Sequence, residues 1–373
     1  MPEKLPALRP MNGDDKDTRE AIAIIGLSFK FPQEATSAQY FWEMLMQGRT
    51  ASTETPKSRM HTDAFRLSGG RQFDKFTTSK ACFIKDDIAA FDAPFFSISR
   101  EEAETMDPQQ RVLLETTYRA FENSAGLPIE KVSGSKTSVF VGNFTDDYKM
   151  MYCKDPEQPF QYGATGCLMS VLSSRLSWFF NLTGQSLSLD SACSSSLTAV
   201  DIACQHLLGK ESDMSVVGAS NLIFSPDMML LLSSFNVLSP QGRSFVFDER
   251  ANGYTRGEGH AVLILKRFSD ALNDGDCIRA VIRSSGSNQD GHTPNGMAQP
   301  SRKAQESLIR HTYEKAGLSL SRTMFVEAHG TGTRLGDAVE VNAIGSSFKS
   351  SRGEVVPLSL ALDTLKDAVA WQA

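Results

Sequence analysis

With 373 residues, 38 basic and 44 acidic side chains and a formal net charge of −6, the chain can bury a large core and lacks the basic surplus of a nucleic-acid binder. Its 40% hydrophobic and 22% charged residues are the balance of an ordinary globular protein. No apolar run approaches a membrane span, residues 228–232 being among the longest, and the N-terminus mixes Lys, Glu, Asp and Pro without the apolar core of a secretory signal.

Residues 1–19 carry Pro2, Pro6, Pro10 and Asp14-Asp15-Lys16-Asp17 and read as a disordered tail. Residues 21–26 are a continuous apolar run closed by a glycine, which predicts a strand covered on both faces. A short helix follows over 38–47, then a polar, irregular surface excursion over 50–85. From Pro108, a good first-turn residue, Val112, Leu113, Leu114, Tyr118 and Phe121 mark a helix. Residues 138–142 predict a strand. The loop after it holds Asp146, Asp147 and Tyr148; the paired carboxylates are open to acid–base or metal chemistry, but the pattern favours a solvated loop. A helix over 168–180 turns Leu168, Val171, Leu172 and Leu176 inward. Residues 214–219 predict another strand. Gly257 and Gly259 flank Glu258, as if the backbone there needs unusual dihedrals or a close approach. Strands over 261–265, 278–282 and 324–328 and a helix over 301–316 complete the pattern. The six cysteines are scattered and form no CxxC, which points away from zinc and disulfide frameworks and toward a reducing cytosol.

One stretch organises the rest. Leu187 and Leu189 alternate with serines, as in a half-buried strand, while Leu197, Val200, Cys204, Leu207 and Leu208 recur at helical spacing. Cys193 therefore sits where a strand hands over to a helix. Its neighbours Ser191, Ala192, Ser194, Ser195 and Ser196 are all small, as a tight turn requires. Helix N-terminal N–H groups favour a thiolate and can hold a negative carbonyl oxygen. The alternative is a buried structural cysteine.

His329 has a similar setting. It follows the 324–328 strand, opens the loop Gly330-Thr331-Gly332-Thr333-Arg334-Leu335-Gly336-Asp337, and precedes a helix through Val341, Ile344 and Phe348. Ligands gather at such carboxyl ends of strands in open α/β sheets. A neutral histidine there can donate a hydrogen bond to a carbonyl oxygen or take up a proton. The alternatives are a histidine satisfied by loop backbone, or a dinucleotide loop; the G-T-G-T-R-L-G spacing is one residue too long for the latter. Hydroxyls of Thr331 and Thr333 suit an amide- or phosphate-bearing arm. His61, His206, His260, His292 and His311 read as surface or packing residues.

Together, residues 22–26, 91–97, 106–111, 190–197, 252–259, 288–291 and 327–336 resemble the β-ketoacyl synthase (ketosynthase) domain of modular and fungal iterative polyketide synthases. The resemblance implies an α/β, thiolase-like fold: two similar halves stacked as five layers (αβαβα), usually dimerised. The halves would span 20–267, with the nucleophilic cysteine, and 268–373. It implies that Cys193 accepts an acyl chain as a thioester from an acyl carrier protein. His329 would help decarboxylate a malonyl extender and stabilise its enolate, and Thr331 and Thr333 would hydrogen-bond the phosphopantetheine arm of the carrier. No metal or cofactor of the chain's own is implied. The implied partners are acyl and malonyl thioesters, the carrier and a second copy, in the cytoplasm, with no nucleic acid or membrane.

The family pattern also has a second histidine, in Lys-x-Asn-x-Gly-His, and a late Gly-Phe-Gly-Gly stretch. No histidine follows His329 in this sequence, and Lys366 lacks the lysine's context. After residues 355–360, which read as a strand, Leu358, Leu362, Leu365 and Val369 have helical spacing. The expectation is a C-terminally truncated, incomplete second half with an unpaired edge, in which Cys193 still loads acyl groups while condensation is impaired. The alternatives are a non-catalytic remnant or dimer partner of a complete ketosynthase, and a plain cysteine hydrolase.

Overall fold

A six-stranded mixed sheet carries the largest core. The computed structural model describes residues 19–62, 76–123, 127–155, 157, 161–294, 296–352 and 359–360. The tail and the helical spacing beyond residue 360 lie outside the described residues.

The apolar run at the start becomes β1 (Ile22–Lys30), with Ile22, Ala23 and Ile25 buried. It leads to α1 (Ala38–Met46), capped by the Ser37 side chain, which accepts from the Tyr40 N–H. The 50–85 stretch departs from its expected surface excursion. It forms β2 (Ser52–Glu54) and β3 (Lys80–Cys82), an antiparallel pair, and buries Ala51, Ala81, Cys82, Phe83 and Ile84. Three-residue strands are too short for their alternation to stand out locally. Then come α2 (Arg100–Thr105), α3 (Pro108–Asn123) and α4 (Ile129–Val132), followed by β4 (Thr137–Asn143), buried along its whole length. The supposed solvated loop after β4 is instead the start of α5 (Asp147–Lys154). Asp147 is buried, and its Oδ2 accepts from the N–H groups of Phe224 and Ser225 at 3.1 and 3.0 Å.

After α6 (Gly163–Cys167), α7 (Ser170–Phe179) turns Leu172 and Leu176 inward, as the spacing predicts, but Leu168 lies outside the helix and exposed. Next are β5 (Ser186–Leu189), a short 3₁₀ turn at Ala192–Ser194, α8 (Ser195–Leu208), β6 (Met214–Asn221) and α9 (Pro226–Ser234). The remainder is β7 (Gly259–Arg267), α10 (Phe268–Asp274), β8 (Ala280–Ile282), α11 (Arg302–Ala316), β9 (Phe325–Val326), α12 (Arg334–Arg352) and β10 (Ser359–Leu360).

The main sheet runs in the order β5-β4-β6-β7-β1-β8. β5, β4 and β6 are mutually parallel, and the β6–β7, β7–β1 and β1–β8 pairings are antiparallel. α3 and α7 cover one face, burying Leu113, Leu114, Phe121, Leu172 and Leu176 against Val139, Val141 and Val216. α8 covers the other, with Ala199, Ala203, Cys204 and Leu207 against Phe140, Val217 and Leu265. A sheet coated on both faces explains why β1, β4 and β6 read as near-continuous apolar runs. β9 and β10 pair in parallel as a second small sheet beside α11 and α12.

Candidate active site

The parallel pairing of β5 with β4 aims the chain at residue 190 toward the carboxyl end of the sheet. Asp190 Oδ1 then accepts from the Ala192 N–H at 2.7 Å. Ala192 takes φ +57°, a left-handed conformation without glycine's freedom, and this bend presents the next residue, Cys193. The serine run is the turn's internal bracing. Ser195 Oγ accepts from the Ser191 N–H at 2.9 Å and donates to the Ala192 carbonyl at 2.7 Å, while Ser194 Oγ donates to the Ser191 carbonyl at 2.9 Å. Small hydroxyl residues satisfy backbone groups that a tight turn would otherwise leave open. Gly142 in β4 supports the turn from behind: a Cβ there would stand 2.7 Å from the Ser195 carbonyl carbon. Only a glycine lets α8 start this close to the sheet.

Cys193 is half-buried, whereas Cys82, Cys167 and Cys204 are buried and Cys153 and Cys277 exposed. Burial pushes the thiols of Cys167 and Cys204 up to about 11, which leaves them inert as nucleophiles. Cys193 is thus placed between water and core, seated one residue before the end of the 3₁₀ turn that feeds α8.

His329 lies three residues past β9, and α12 holds its loop. Glu340 accepts from two adjacent backbone groups, His329 N–H at 2.6 Å and Gly330 N–H at 2.8 Å. Asp337 accepts from Gly332 N–H at 3.1 Å and Phe247 N–H at 2.7 Å. Gly332 takes φ +73°, and a Cβ on it would meet Phe245 N at 2.8 Å. These carboxylates use the loop's N–H groups internally, so the loop does not present them to a dinucleotide phosphate. Thr331 and Thr333 face each other, Oγ1 to Oγ1, at 2.9 Å.

A cavity of about 610 Å³ joins the two loops. Cys193 and His329 both line it, with Ala192, Leu197, Ile309 and Ile344 among its other walls. Thr331 and Thr333 are not among its lining residues, so the structure brings together two of the four sequence-derived site residues and leaves the threonines in the adjoining loop. A second space of about 30 Å³ lies on the other side of Ala192, against Gly142, Asn143, Ser196 and Ser220. Among the described residues no cluster of three or more His, Cys, Asp or Glu side chains could hold a metal ion.

Three supporting residues escaped the sequence reading: Gly142, Ala192 as a strained residue, and Glu340. Gly142 is the only one with a local signal, a glycine inside an apolar strand, which marks close backbone approach. Gly257 and Gly259 take no positive φ, and the Gly257 carbonyl accepts from Asn221 Nδ2 at 2.6 Å. Between those glycines Glu258 is wholly buried. It accepts from Ile84 and Ile223 N–H and pairs with Arg59 at 3.2 Å, while burial pushes its carboxyl up to about 7. Of the other histidines, His260 is a packing residue, buried against Ser220.

Comparison with known proteins gives a consistent result. The family model for the beta-ketoacyl synthase N-terminal domain matches residues 19–271, and that for the C-terminal domain matches residues 279–369. Highly reducing polyketide synthase 2 of Gibberella zeae is 48% identical over 338 residues, 90% of this chain and 13% of that protein. Reducing polyketide synthase pksF of Alternaria solani is 47% identical over 340 residues, 91% of this chain and 15% of that protein. The ketosynthase from module 6 of the bacillaene synthase of Bacillus subtilis superposes with a TM-score of 0.83 at 35% identity, covering 91% of this chain and 56% of that one. The oxazolomycin ketosynthase domain OzmH KS7 of Streptomyces albus gives 0.84 at 32%, covering 94% and 59%. The chain therefore spans a small part of the curated relatives and little over half of the solved domains.

Proposed function

The chain belongs to the β-ketoacyl synthase family, with its thiolase-like fold, and on that premise we propose that it is a condensing acyltransferase working through Cys193 and His329. The Cys193 thiolate attacks the carbonyl of an acyl thioester. The carrier thiol leaves, and the acyl chain is held as a thioester on Sγ. A malonyl thioester then enters the same cavity and loses carbon dioxide. The electron pair left behind forms an enolate, whose oxygen accepts a hydrogen bond from the His329 ring. The enolate carbon attacks the Cys193 thioester, a carbon–carbon bond forms, and the Cys193 thiolate is released. The chain is two carbons longer and rests on the extender's thiol.

The observation that carries this reading is that a half-buried cysteine and a histidine from separate strand–loop–helix units line one cavity. An accessible thiol opening into that cavity favours an enzyme over a non-catalytic remnant or dimer partner. A low-polarity wall of Leu197, Ile309 and Ile344 suits an acyl chain better than the water a hydrolase must admit.

The substrates are acyl and malonyl thioesters delivered on the phosphopantetheine arm of an acyl carrier protein, with Thr331 and Thr333 meeting the arm's amides. The arm belongs to the carrier, and the donors and acceptors of these two hydroxyls match its amide groups. The two halves divide near residue 267. A second copy joins along β5, the edge strand of the main sheet, whose Leu187 is exposed. The setting is the cytoplasm. Among the described residues no helix is long and apolar enough to cross a membrane.

The test is a single-turnover assay with an acyl and a malonyl thioester, following carbon dioxide release and product mass. The reading predicts acyl loading of Cys193 and a product two carbons longer, both abolished in Cys193→Ala, with the condensation slow because no histidine follows His329 in this sequence. His329→Ala should keep acyl loading and lose carbon dioxide release. Free acid as the only product would replace this reading with that of a hydrolase.

A further inference from the structure

We propose that Gln109 is a positioning residue for the nucleophile: it locks the end of β4, on which the Cys193 turn rests, to the end of β6. Gln109 follows Pro108 in the first turn of α3 and is only 2% exposed. Its amide makes four hydrogen bonds. Nε2 donates to Asp107 Oδ2 at 3.2 Å and to the Thr145 carbonyl at 3.3 Å. Oε1 accepts from Asn143 Nδ2 at 2.9 Å and from Ser220 Oγ at 3.2 Å.

Those last two donors are not arbitrary neighbours. Asn143 ends β4, and Ser220 is its registered partner on β6. A second bond, Asn143 Nδ2 to the Ser220 carbonyl at 3.0 Å, ties the same pair. Ser220 Oγ also meets His260 Nδ1 at 2.9 Å, so the knot reaches β7. His260 Nε2 is left buried without a partner, but the amides of Gln109 and Asn143 and the hydroxyl of Ser220 are paired, and displacing them would leave buried groups unsatisfied.

The knot lies next to the nucleophile's turn. Asn143 and Ser220 line the same 30 Å³ space as Ala192, Ser195 and Ser196. Beside them, Gly142 leaves no room between β4 and the Ser195 backbone. The turn carrying Cys193 thus rests on β4 at Gly142, the residue before Asn143, and Gln109 sets where that strand end lies. Nothing in the condensation chemistry uses Gln109 directly; its side chain is absent from the cavity that holds Cys193 and His329.

The same two strands supply an internal control. At their opposite ends Ser138 Oγ and Ser215 Oγ hydrogen-bond at 2.5 Å, equally buried. The experiment uses the full chain and measures the rate and pH midpoint of Cys193 modification by iodoacetamide, resolved from the other cysteines by peptide mass spectrometry. Gln109→Met keeps the length and removes all four bonds; the rate should fall about tenfold and the midpoint should shift. Gln109→Glu keeps the acceptor oxygen but turns a second one against Asp107 Oδ2 and the Thr145 carbonyl, so it too should slow modification. Ser215→Ala should lower stability while leaving rate and midpoint unchanged. Should Gln109→Met fail to fold, Ser220→Ala removes a single bond to Gln109 and should slow modification about threefold. Wild-type rate and midpoint in Gln109→Met or Ser220→Ala would overturn the proposal, and so would equal slowing by Ser215→Ala. The importance of the position rests on Cys193 being the acyl acceptor. Alkylation does not, so a chain that alkylates in a Gln109-dependent way yet takes no acyl group would sink the enzyme reading and leave this one standing.

Discussion

Ala192 holds a methyl group in a left-handed conformation, at φ +57°, one residue before Cys193. That costs about 1–2 kcal/mol, offset by its N–H bond to Asp190 and its carbonyl bond from Ser195. A β-branched side chain tolerates this region far less. Ala192→Val should lose about 2 kcal/mol in a urea titration and should also block Cys193 alkylation. At the same scale, Gly142→Ala should slow acyl loading by at least about tenfold, because the added Cβ has only backbone to displace. His260 gives a pH test. Burial, with Lys30 and Arg59 nearby, pushes its pKa down to about 3. Below its ordinary value of 6.5 the unfolded chain takes up a proton that the folded chain refuses. Stability from this site is therefore lost as pH falls from about 6.5 toward 3, by up to about 1.4 kcal/mol per pH unit. Glu258 and Asp107, raised to about 7 and about 6 by burial, take up protons in the folded chain over the same range and act in the opposite direction. The clean readout is a difference: between pH 7.5 and 5.5, His260→Asn should lose less stability than wild type, and equal slopes would contradict the assignment.

Each catalytic candidate rides on the same local unit, a short strand, a polar turn and a helix, and that unit is legible in sequence. The leucine–serine alternation before Cys193 and the helical spacing after it both appear in β5 and α8, and the strand expected over 324–328 is found ahead of His329, shortened to Phe325–Val326. Turn chemistry and hydrophobic period are local properties. What supports the units is not local. Glu340 reaches back 11 residues to the His329 N–H, and Gln109 binds partners 34 and 111 residues away. Asp147 looked like a loop carboxylate because its two N–H donors lie 77 and 78 residues downstream. The helical pattern also misjudged exposure: Leu197 and Leu208 share the spacing of α8's buried residues yet remain exposed. Glu340 yields a prediction for the element it clamps. In Glu340→Gln only one amide oxygen remains to accept, so one of the two N–H bonds is lost and the loop loosens. Carbon dioxide release from a malonyl thioester should fall about tenfold while acyl loading of Cys193 is unchanged.

Over the whole molecule, burial is uneven. The six-stranded sheet is packed on both faces by large clusters, whereas α11, α12 and β9 share a small one around Ala328, Ile344 and Phe348. Met324 and Phe325 are exposed beside it. Fewer buried apolar contacts mean a lower free energy of local opening. Native-state hydrogen exchange should show amides of α11 and α12 opening well below the global limit set by β4, β6 and β7; uniform protection would contradict this. His329 belongs to the less stable part and Cys193 to the more stable one, so acyl loading should survive mild denaturant that already abolishes decarboxylation. The central claim is that Cys193 accepts acyl chains, and the most direct measurement is the intact mass of the chain after incubation with a short acyl thioester. One added acyl group, mapped to Cys193 and missing in Cys193→Ala, is the predicted result; a folded wild-type chain with no adduct, or with the acyl group on another cysteine, would contradict it.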